Sequence, residues 1–306
     1  MNETALLVNT ALASGTTLAL AALGLLINER AGVLNLGAEG MMLVAAVAGF
    51  AVALFTGSDL LAFGAAALAG AALAAVFGVL VIWLNTNQYA TGLAISLFGY
   101  GFSAFVGVGL VGQSLGERVR FEVPWLADLP LLGPALFRHH PMVYAAMALA
   151  VALTWWLYRS RSGLLLRAVG ENPEPAHALG YPVRWIRLGA VTFGGALCGL
   201  AGAYISLVTA PLWVEGLTAG RGWIALALTV FATWRPMRAL LGAYLFGGIT
   251  VLQLNLQAQG VQIASHFLTM LPYVATIVVL ALISRNADFI RINMPASLGK
   301  PFHPGG

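Results

Sequence analysis

The chain has 306 residues, of which 15 are Lys or Arg and 11 Asp or Glu, so only 8% are charged. A soluble domain carries roughly 25%; with 60% hydrophobic residues and a mean hydropathy of +0.87, this chain lacks the polar surface to stay in water. The same numbers exclude disorder, a coiled coil and a disulfide-stapled secreted domain. The 36 Gly and 13 Pro interrupt any continuous helix, and the single cysteine, Cys198, cannot form an intramolecular bridge. The net charge of +4 fits basic residues held beside membrane spans.

The first apolar run, Leu6 to Ile27, follows Glu3 with no positive region before it and no small-x-small cleavage site after it. It therefore reads as a retained span and not a signal peptide. A span needs about 20 apolar residues. Candidates in chain order are 5–27, 36–55, 60–84, 88–112, 141–158, 187–208, 223–234, 239–256 and 266–284. The expectation is one all-α polytopic membrane domain over 1–306, with about nine (8–10) transmembrane helices. The 223–234 run is too short to cross alone, since ~12 residues rise only ~18 Å. It is either a half-helix or extends into the Gly-rich stretch before it.

Basic residues set the sidedness. Segment 159–187 holds Arg159, Arg161, Arg167, Arg184 and Arg187, which makes it cytoplasmic. Alternating the spans from there puts Arg30, Arg235, Arg238, Arg285, Arg291 and Lys300 on the same side, and Arg118, Arg120, Arg138 and Arg221 outside. The tail 285–306 is then cytoplasmic and the 113–140 loop extracytoplasmic. That loop carries Glu117, Glu122 and Asp128 beside its arginines, with Trp125, a mixture suited either to docking a partner or to simple solubility.

Three polar stretches exceed what a bare anchor needs. In 27–40 (INERAGVLNLGAEG), two carboxylates, a guanidinium and two amides lie between apolar runs, with Gly at 32, 37 and 40. Glycines there permit a broken helix whose freed backbone faces protein or a cavity. Glu29 and Arg30 read as a boundary ion pair or as functional groups. Glu39, inside the next apolar run, is costly there and must face protein or water. The second stretch, 215–227 (EGLTAGRGWIALA), has the same texture. Arg221-Gly222-Trp223 matches Glu39-Gly40-Met41 weakly at an offset of 182, starting a helix from the opposite face, as an inverted repeat would. In the third, 164–180, Asn172 suits an N-cap, Pro173 an N1 position, Glu174 the positive helix end and Gly180 a C′ stop. A helix so short must pack on something, which makes it a docking knob on the cytoplasmic face.

These stretches carry a resemblance. NERAGVLNLGAEGMM (28–42), NTNQYATGL (85–93), GENPEPAHALG (170–180), GGALCGLAGAYIS (194–206), GLTAGRGWIALA (216–227) and the Trp234-Arg235-Pro236 step resemble the bacterial ABC-importer permeases of the branched-chain amino acid, ribose and nucleoside group. The similarity runs from about residue 20 to 285 and is closest to the second permease of nucleoside systems of the basic-membrane-protein type. It implies a type II-like importer permease in a bacterial plasma (inner) membrane. The implied partners are a second homologous permease, two cytoplasmic ATPase subunits that bind ATP and Mg, and an extracytoplasmic substrate-binding protein. Carried over by position, Glu171, Asn172, Pro173, Glu174, Ala176 and Gly180 lie in the coupling helix that docks on the ATPase. Pro175 stands where the family usually has Ala, and it removes a further N–H from the knob.

The residues agree with a division of labour. A P-loop needs a lysine after its glycines, yet the only lysine, Lys300, is followed by Pro301. ATP and Mg are therefore expected in a partner and no cofactor in this chain; a secondary carrier without an ATPase fits this point equally. No H-E-x-x-H motif is present, the serines are not read as a nucleophile elbow, and His139, His140 and His266 lack metal spacing, so no catalytic or metal site is expected, nor a nucleic-acid partner. Amides donate and accept at once, which suits a neutral polyol or a base edge. Asn85, Asn87 and Gln88 at the fourth span, and Gln253 and Asn255 in the eighth, join Glu39 and Arg221 as candidate pathway residues, with interhelical bonding as the plainer alternative. The expected solute is a nucleoside, with simple sugars, riboflavin and branched-chain amino acids open. Gly195-x3-Gly199 reads as a packing seam.

Overall fold

The computed structural model describes residues 3–116, 121–122, 137–259 and 293–303, with isolated residues between 267 and 281. Its helices are α1 (Glu3–Arg30), α2 (Ala38–Thr56), α3 (Asp59–Ile82), α4 (Gln88–Gly107), α5 (Pro141–Arg159), α6 (Arg161–Glu171), α7 (Pro173–Ala178), α8 (Val183–Tyr204), α9 (Arg221–Phe231) and α10 (Pro236–Ala258). Seven of them (α1 to α5, α8 and α10) are long and apolar enough to cross a membrane. The seventh predicted segment, 223–234, is the half-helix α9. The ninth, 266–284, lies outside the described residues, as does most of the 113–140 loop. That loop's described part pairs a two-residue strand, Phe121–Glu122, with Arg138–His139.

Local chemistry starts the helices where polar side chains can take their first N–H groups. Ser58 Oγ accepts from Leu61 N (3.4 Å) at α3, Asn87 Oδ1 from Tyr89 N and Ala90 N (3.0 and 3.1 Å) at α4, and Ser160 Oγ from Gly163 N (3.0 Å) at α6. His140 Nδ1 accepts from Met142 N (3.2 Å), with Pro141 at the first position of α5.

α1 and α8 are the inner pair: 72% of the apolar window of each is buried, against 28% for α5. α8 packs along α3, α1 and α2, while α1 also runs along α10. Lipid offers no hydrophobic drive between helices, so close approach of small residues has to hold them. The Gly195-x3-Gly199 seam does this against α3. A Cβ on Gly70 would come 2.8 Å from the Gly199 Cα, and one on Gly199 would collide with the Ala66 carbonyl. On α1, a Cβ at Gly15 would reach the Ala243 carbonyl of α10 at 2.7 Å.

Two ends of the bundle result. One gathers the end of α1, α6, α7, the start of α8 and the α9–α10 turn, and it carries Arg30, Arg187, Arg235 and Arg238. The other gathers the first half of α1, Arg138 to His140, and the last turn of α8, which widens into a π-helix at Ile205–Thr209.

Gly199→Leu would force α3 and α8 apart. The expected cost is about 1–3 kcal/mol or failure to accumulate in the membrane, read by thermal unfolding in detergent; an unchanged melting curve would mean that the seam is not a close contact.

Candidate functional site

The α1–α2 break, residues 31–37, is the first component. α1 continues to Arg30, and the chain returns into the bundle before α2 begins. Its backbone would be unsatisfied in a membrane core without partners. Side chains supply them: Leu34 N donates to Gln88 Oε1 (2.8 Å), Gly37 N to Asn35 Oδ1 (2.9 Å), and Ser96 Oγ donates to the Leu36 carbonyl (2.8 Å). Gly40 then packs directly on Ile95, Ser96 and Gly99 of α4, about 10–17 Å along that helix at 1.5 Å per residue. α2 therefore starts well inside the bundle.

The second component is α9, which starts at the same depth and runs the other way. The Glu39 carboxylate joins the two. Its Oε1 accepts from Thr218 Oγ1 (2.5 Å) and Gly220 N (2.8 Å), and its Oε2 from Gly222 N (2.6 Å). Gly222 has to be glycine, because a Cβ there would sit 2.7 Å from Glu39 Oε2. At the other end of α9, Glu29, 0% exposed, accepts from Trp234 Nε1 (2.5 Å) and Thr229 Oγ1 (3.4 Å). Arg30 Nε donates to the Trp234 carbonyl (3.1 Å). Glu29 and Arg30 thus both grip Trp234 in place of an ion pair with each other, and they hold it in a left-handed backbone conformation, φ +54°. The 28–40 segment clasps α9 at both ends.

The third component is a cavity of about 970 Å³ at the far end. α1 lines it with Asn9, Thr10, Ser14 and Thr17, α8 and its π turn with Tyr204, Val208 and Thr209, and α10 with Thr250 and Leu254. His139 and His140 precede α5 on its wall, and Arg221, the first residue of α9, reaches it from the clasp. The polar lining is mostly hydroxyls, with the Asn9 amide, the two histidines and the side chains of Arg138 and Arg221.

The fourth component is α7. Asn172 occupies its N-cap position with an exposed side chain, and Pro173 and Pro175 fall where an N–H would be unpaired anyway. The helix closes after six residues by Tyr181 N to Ala176 O (3.1 Å) and Gly180 N to His177 O (2.8 Å). Gly180 adopts φ +85°, the left-handed stop that glycine takes without cost. Glu171, Asn172, Glu174 and Gly180 are exposed, Pro173 is half-buried, and Ala176 is buried.

The candidate pathway residues scatter accordingly. Glu39 and Arg221 meet at the clasp. Gln88 serves the backbone of the break, Asn87 caps α4, and Asn85 sits in a left-handed turn (φ +49°), all three at the α7 end. Gln253 is buried and Asn255 Oδ1 accepts from Gln259 Nε2 (3.3 Å); neither is among the cavity walls. Sequence reasoning passed over Thr218, Thr229 and Trp234 as carboxylate partners. It also missed the α1 stripe, although Thr10, Ser14 and Thr17 follow i, i+4, i+7 spacing and so share one helix face.

A bundle of membrane-crossing helices with a helix break buried at its centre and a polar-lined cavity is a membrane transport subunit. Residues 7–283 match the family described as branched-chain amino acid transport system / permease component, and the chain belongs to that family. It is 43% identical to TsgC13 of Haloferax volcanii, provisionally named a glucose ABC transporter permease protein, over 97% of both chains. It is 31% identical to the guanosine ABC transporter permease protein NupQ of Bacillus subtilis, over 94% of this chain and 93% of that one. It is 32% identical to the nucleoside ABC transporter permease protein NupC of Lactococcus lactis, over 92% and 93%. No solved structure matches.

Glu39→Ala leaves the Gly220 and Gly222 N–H groups and the Thr218 hydroxyl without an acceptor. At about 1–3 kcal/mol per stranded group, thermal unfolding in detergent should show a loss larger than for Glu39→Gln, which keeps one acceptor oxygen. Equal melting curves for the two variants and the parent would remove the clasp.

Proposed function

We propose that this chain is one of two permeases of an ATP-driven importer for neutral, hydroxyl-rich solutes, with nucleosides the first assignment. The family match over residues 7–283 carries the transport reading. Two kinds of relative carry the solute reading: permeases named for guanosine or nucleosides, and one named for glucose. Both solutes present ribose- or hexose-type hydroxyls. The cavity offers the Ser14 and Thr17 hydroxyls, and acceptor oxygens from Thr10, Thr209 and Thr250, whose O–H groups bond to their own helices. Tyr204, His139 and His140 stand on its wall with their rings packed against protein, so the preference for a nucleoside over a hexose rests on the relatives named for guanosine or nucleosides. Simple sugars are the second reading, favoured by the 43% identity to TsgC13.

In this reading α7 faces the cytoplasm together with the C-terminus, and the cavity opens on the outer side, where a binding protein delivers the solute. The chain forms a single domain over 1–306, and Glu171, Asn172, Pro173, Glu174, Ala176 and Gly180 make the knob seated on an ATPase subunit. Two nucleotide-binding subunits close on ATP, displace the knobs, and open the path toward the cytoplasm. A second permease is expected because relatives occur as pairs, guanosine permeases NupQ and NupP and glucose permeases TsgC13 and TsgB13.

The test is uptake by the reconstituted complex of both permeases, ATPases and binding protein in vesicles. ATP-dependent accumulation of guanosine or uridine is expected, with Thr17→Val lowering it about fivefold, as loss of one hydrogen bond of ~1 kcal/mol predicts. Uptake of glucose without nucleosides would install the sugar reading. Glu174→Arg with Pro173→Gly should abolish transport and substrate-stimulated ATP hydrolysis; survival of both would overturn the role given to α7.

A further inference from the structure

α7 is only six residues long, and its one buried side chain, Ala176, rests in a small apolar cluster with Val169, Val183 and Phe302. Phe302 comes from the end of the chain. Its ring meets the His177 ring edge-on at 5.6 Å, and the Arg187 guanidinium lies 5.9 Å from its centroid. The tail before it is bolted down. Ser297 N and Oγ both donate to the Gly170 carbonyl (3.0 and 2.6 Å), while the same Oγ accepts from Arg187 Nη2 (2.9 Å). Ala296 N donates to Glu171 Oε2 (3.2 Å), and Arg187 Nη1 reaches the Lys300 carbonyl at 3.5 Å.

The tail is equally attached to the helix break. Gly299 N donates to the Gly32 carbonyl (3.3 Å), and Arg30 Nη1 donates to the Asn293 carbonyl (3.3 Å). Gly32 holds φ +86°, and a Cβ on it would run into Ser297 Oγ, so the two backbones fit only with glycine there. The other nitrogen of the same guanidinium, Nε, holds Trp234, and Glu29 beside it holds the Trp234 indole. Glu39 holds the opposite end of α9, whose first residue lines the cavity.

We propose that residues 293–303 form a strut that carries a displacement of α7 to the α1–α2 break and through it to α9 and the cavity, with Ser297, Arg187 and Phe302 as its positioning residues. The proposal rests on the reading of α7 as the ATPase-docking knob. Packing brings α6 to the break where Gly170 lies against the Arg30 carbonyl and Gly32 N, and the tail adds hydrogen bonds that fasten the two together. Hydrogen bonds to both sides converge on Ser297 and its neighbours. Loss of such a link changes coupling without touching either the ATP site or the solute.

Ser297→Ala and Phe302→Ala in the complete reconstituted importer test it, with solute moved and ATP hydrolysed measured in the same vesicles. The expected result is normal co-purification of the ATPases and basal ATP hydrolysis within about twofold. Transport per ATP should fall about tenfold, within the range by which coupling networks respond to single changes. Phe302→Leu, which refills most of the volume, should recover transport to within about threefold. If Phe302→Ala lowers the melting temperature or the yield, Ser297→Ala and Phe302→Leu decide. An unchanged transport-to-ATP ratio overturns the strut. Loss of ATPase co-purification also overturns it, since the tail would then be part of the docking surface. The Glu174→Arg, Pro173→Gly variant runs alongside: if it transports normally the role of α7 has failed, whereas if only the tail variants are silent the strut alone has failed.

Discussion

A single carboxylate lies between two helix beginnings, and the centre of this protein is arranged around it. Helix starts carry unpaired N–H groups and partial positive charge. α2 and α9 begin at the same depth and run apart, so their positive ends face one another where water is scarce. Glu39 stands in the first turn of α2, favourable for that helix, and accepts two N–H groups and a hydroxyl from the start of α9. Charge-assisted bonds of this kind are about twice as strong as neutral ones. With Glu39 in place, Gly222 has to lack a side chain and the break at 31–37 has to enter the bundle against α4. The matching position on α9 is Arg221, whose Nη1 donates to the Leu217 carbonyl (3.4 Å). A cation there cannot return the favour to α2, so the offset that pairs the two stretches in sequence corresponds to a functional asymmetry in space.

The same economy explains why amides near the break do not face the cavity. An extended backbone in a bilayer interior must be satisfied by side chains. Gln88, Asn35 and Ser96 are spent on Leu34, Gly37 and Leu36. Three of the hydroxyls that line the cavity, Thr10, Ser14 and Thr17, come from α1, an unbroken helix that satisfies its own backbone.

Much of this was legible in the chain. Apolar runs located the seven described spans to within a few residues, the 223–234 run was too short to cross, and Pro173 and Gly180 delimited a short helix whose N-cap residue, Asn172, makes no side-chain cap bond. Glycine at 195 and 199 announced the seam. What the chain withheld was partnership across distance. Nothing local couples Glu39 to Thr218 or Glu29 to Trp234, because the contact is made by packing of α1, α2 and α9, and single-sequence periodicity carries no information on which helix lies beside which. The tail escaped for a different reason: Ser297 and Phe302 sit in a stretch whose only chemical emblem is the lone lysine, and their value comes from what Gly170, Gly32 and Arg187 present to them.

The distribution of bond strength along the bundle bears on how a permease can move. At the α7 end, Glu29, Arg30 and Arg187 make bonds with a charged partner, and these join the tail, the break, α8 and the α9–α10 turn into one block. At the far end, hydroxyls bond back to their own helices, as Thr10 does to Leu6, Thr209 to Ile205 and Thr250 to Phe246. Those bonds brace no neighbour; cross-links there include Asn9 Nδ2 to the Arg138 carbonyl and, from the π turn, Ser206 Oγ to the Ala46 carbonyl of α2. α9, clasped at both ends by carboxylates, is the piece that belongs to the block and still touches the cavity.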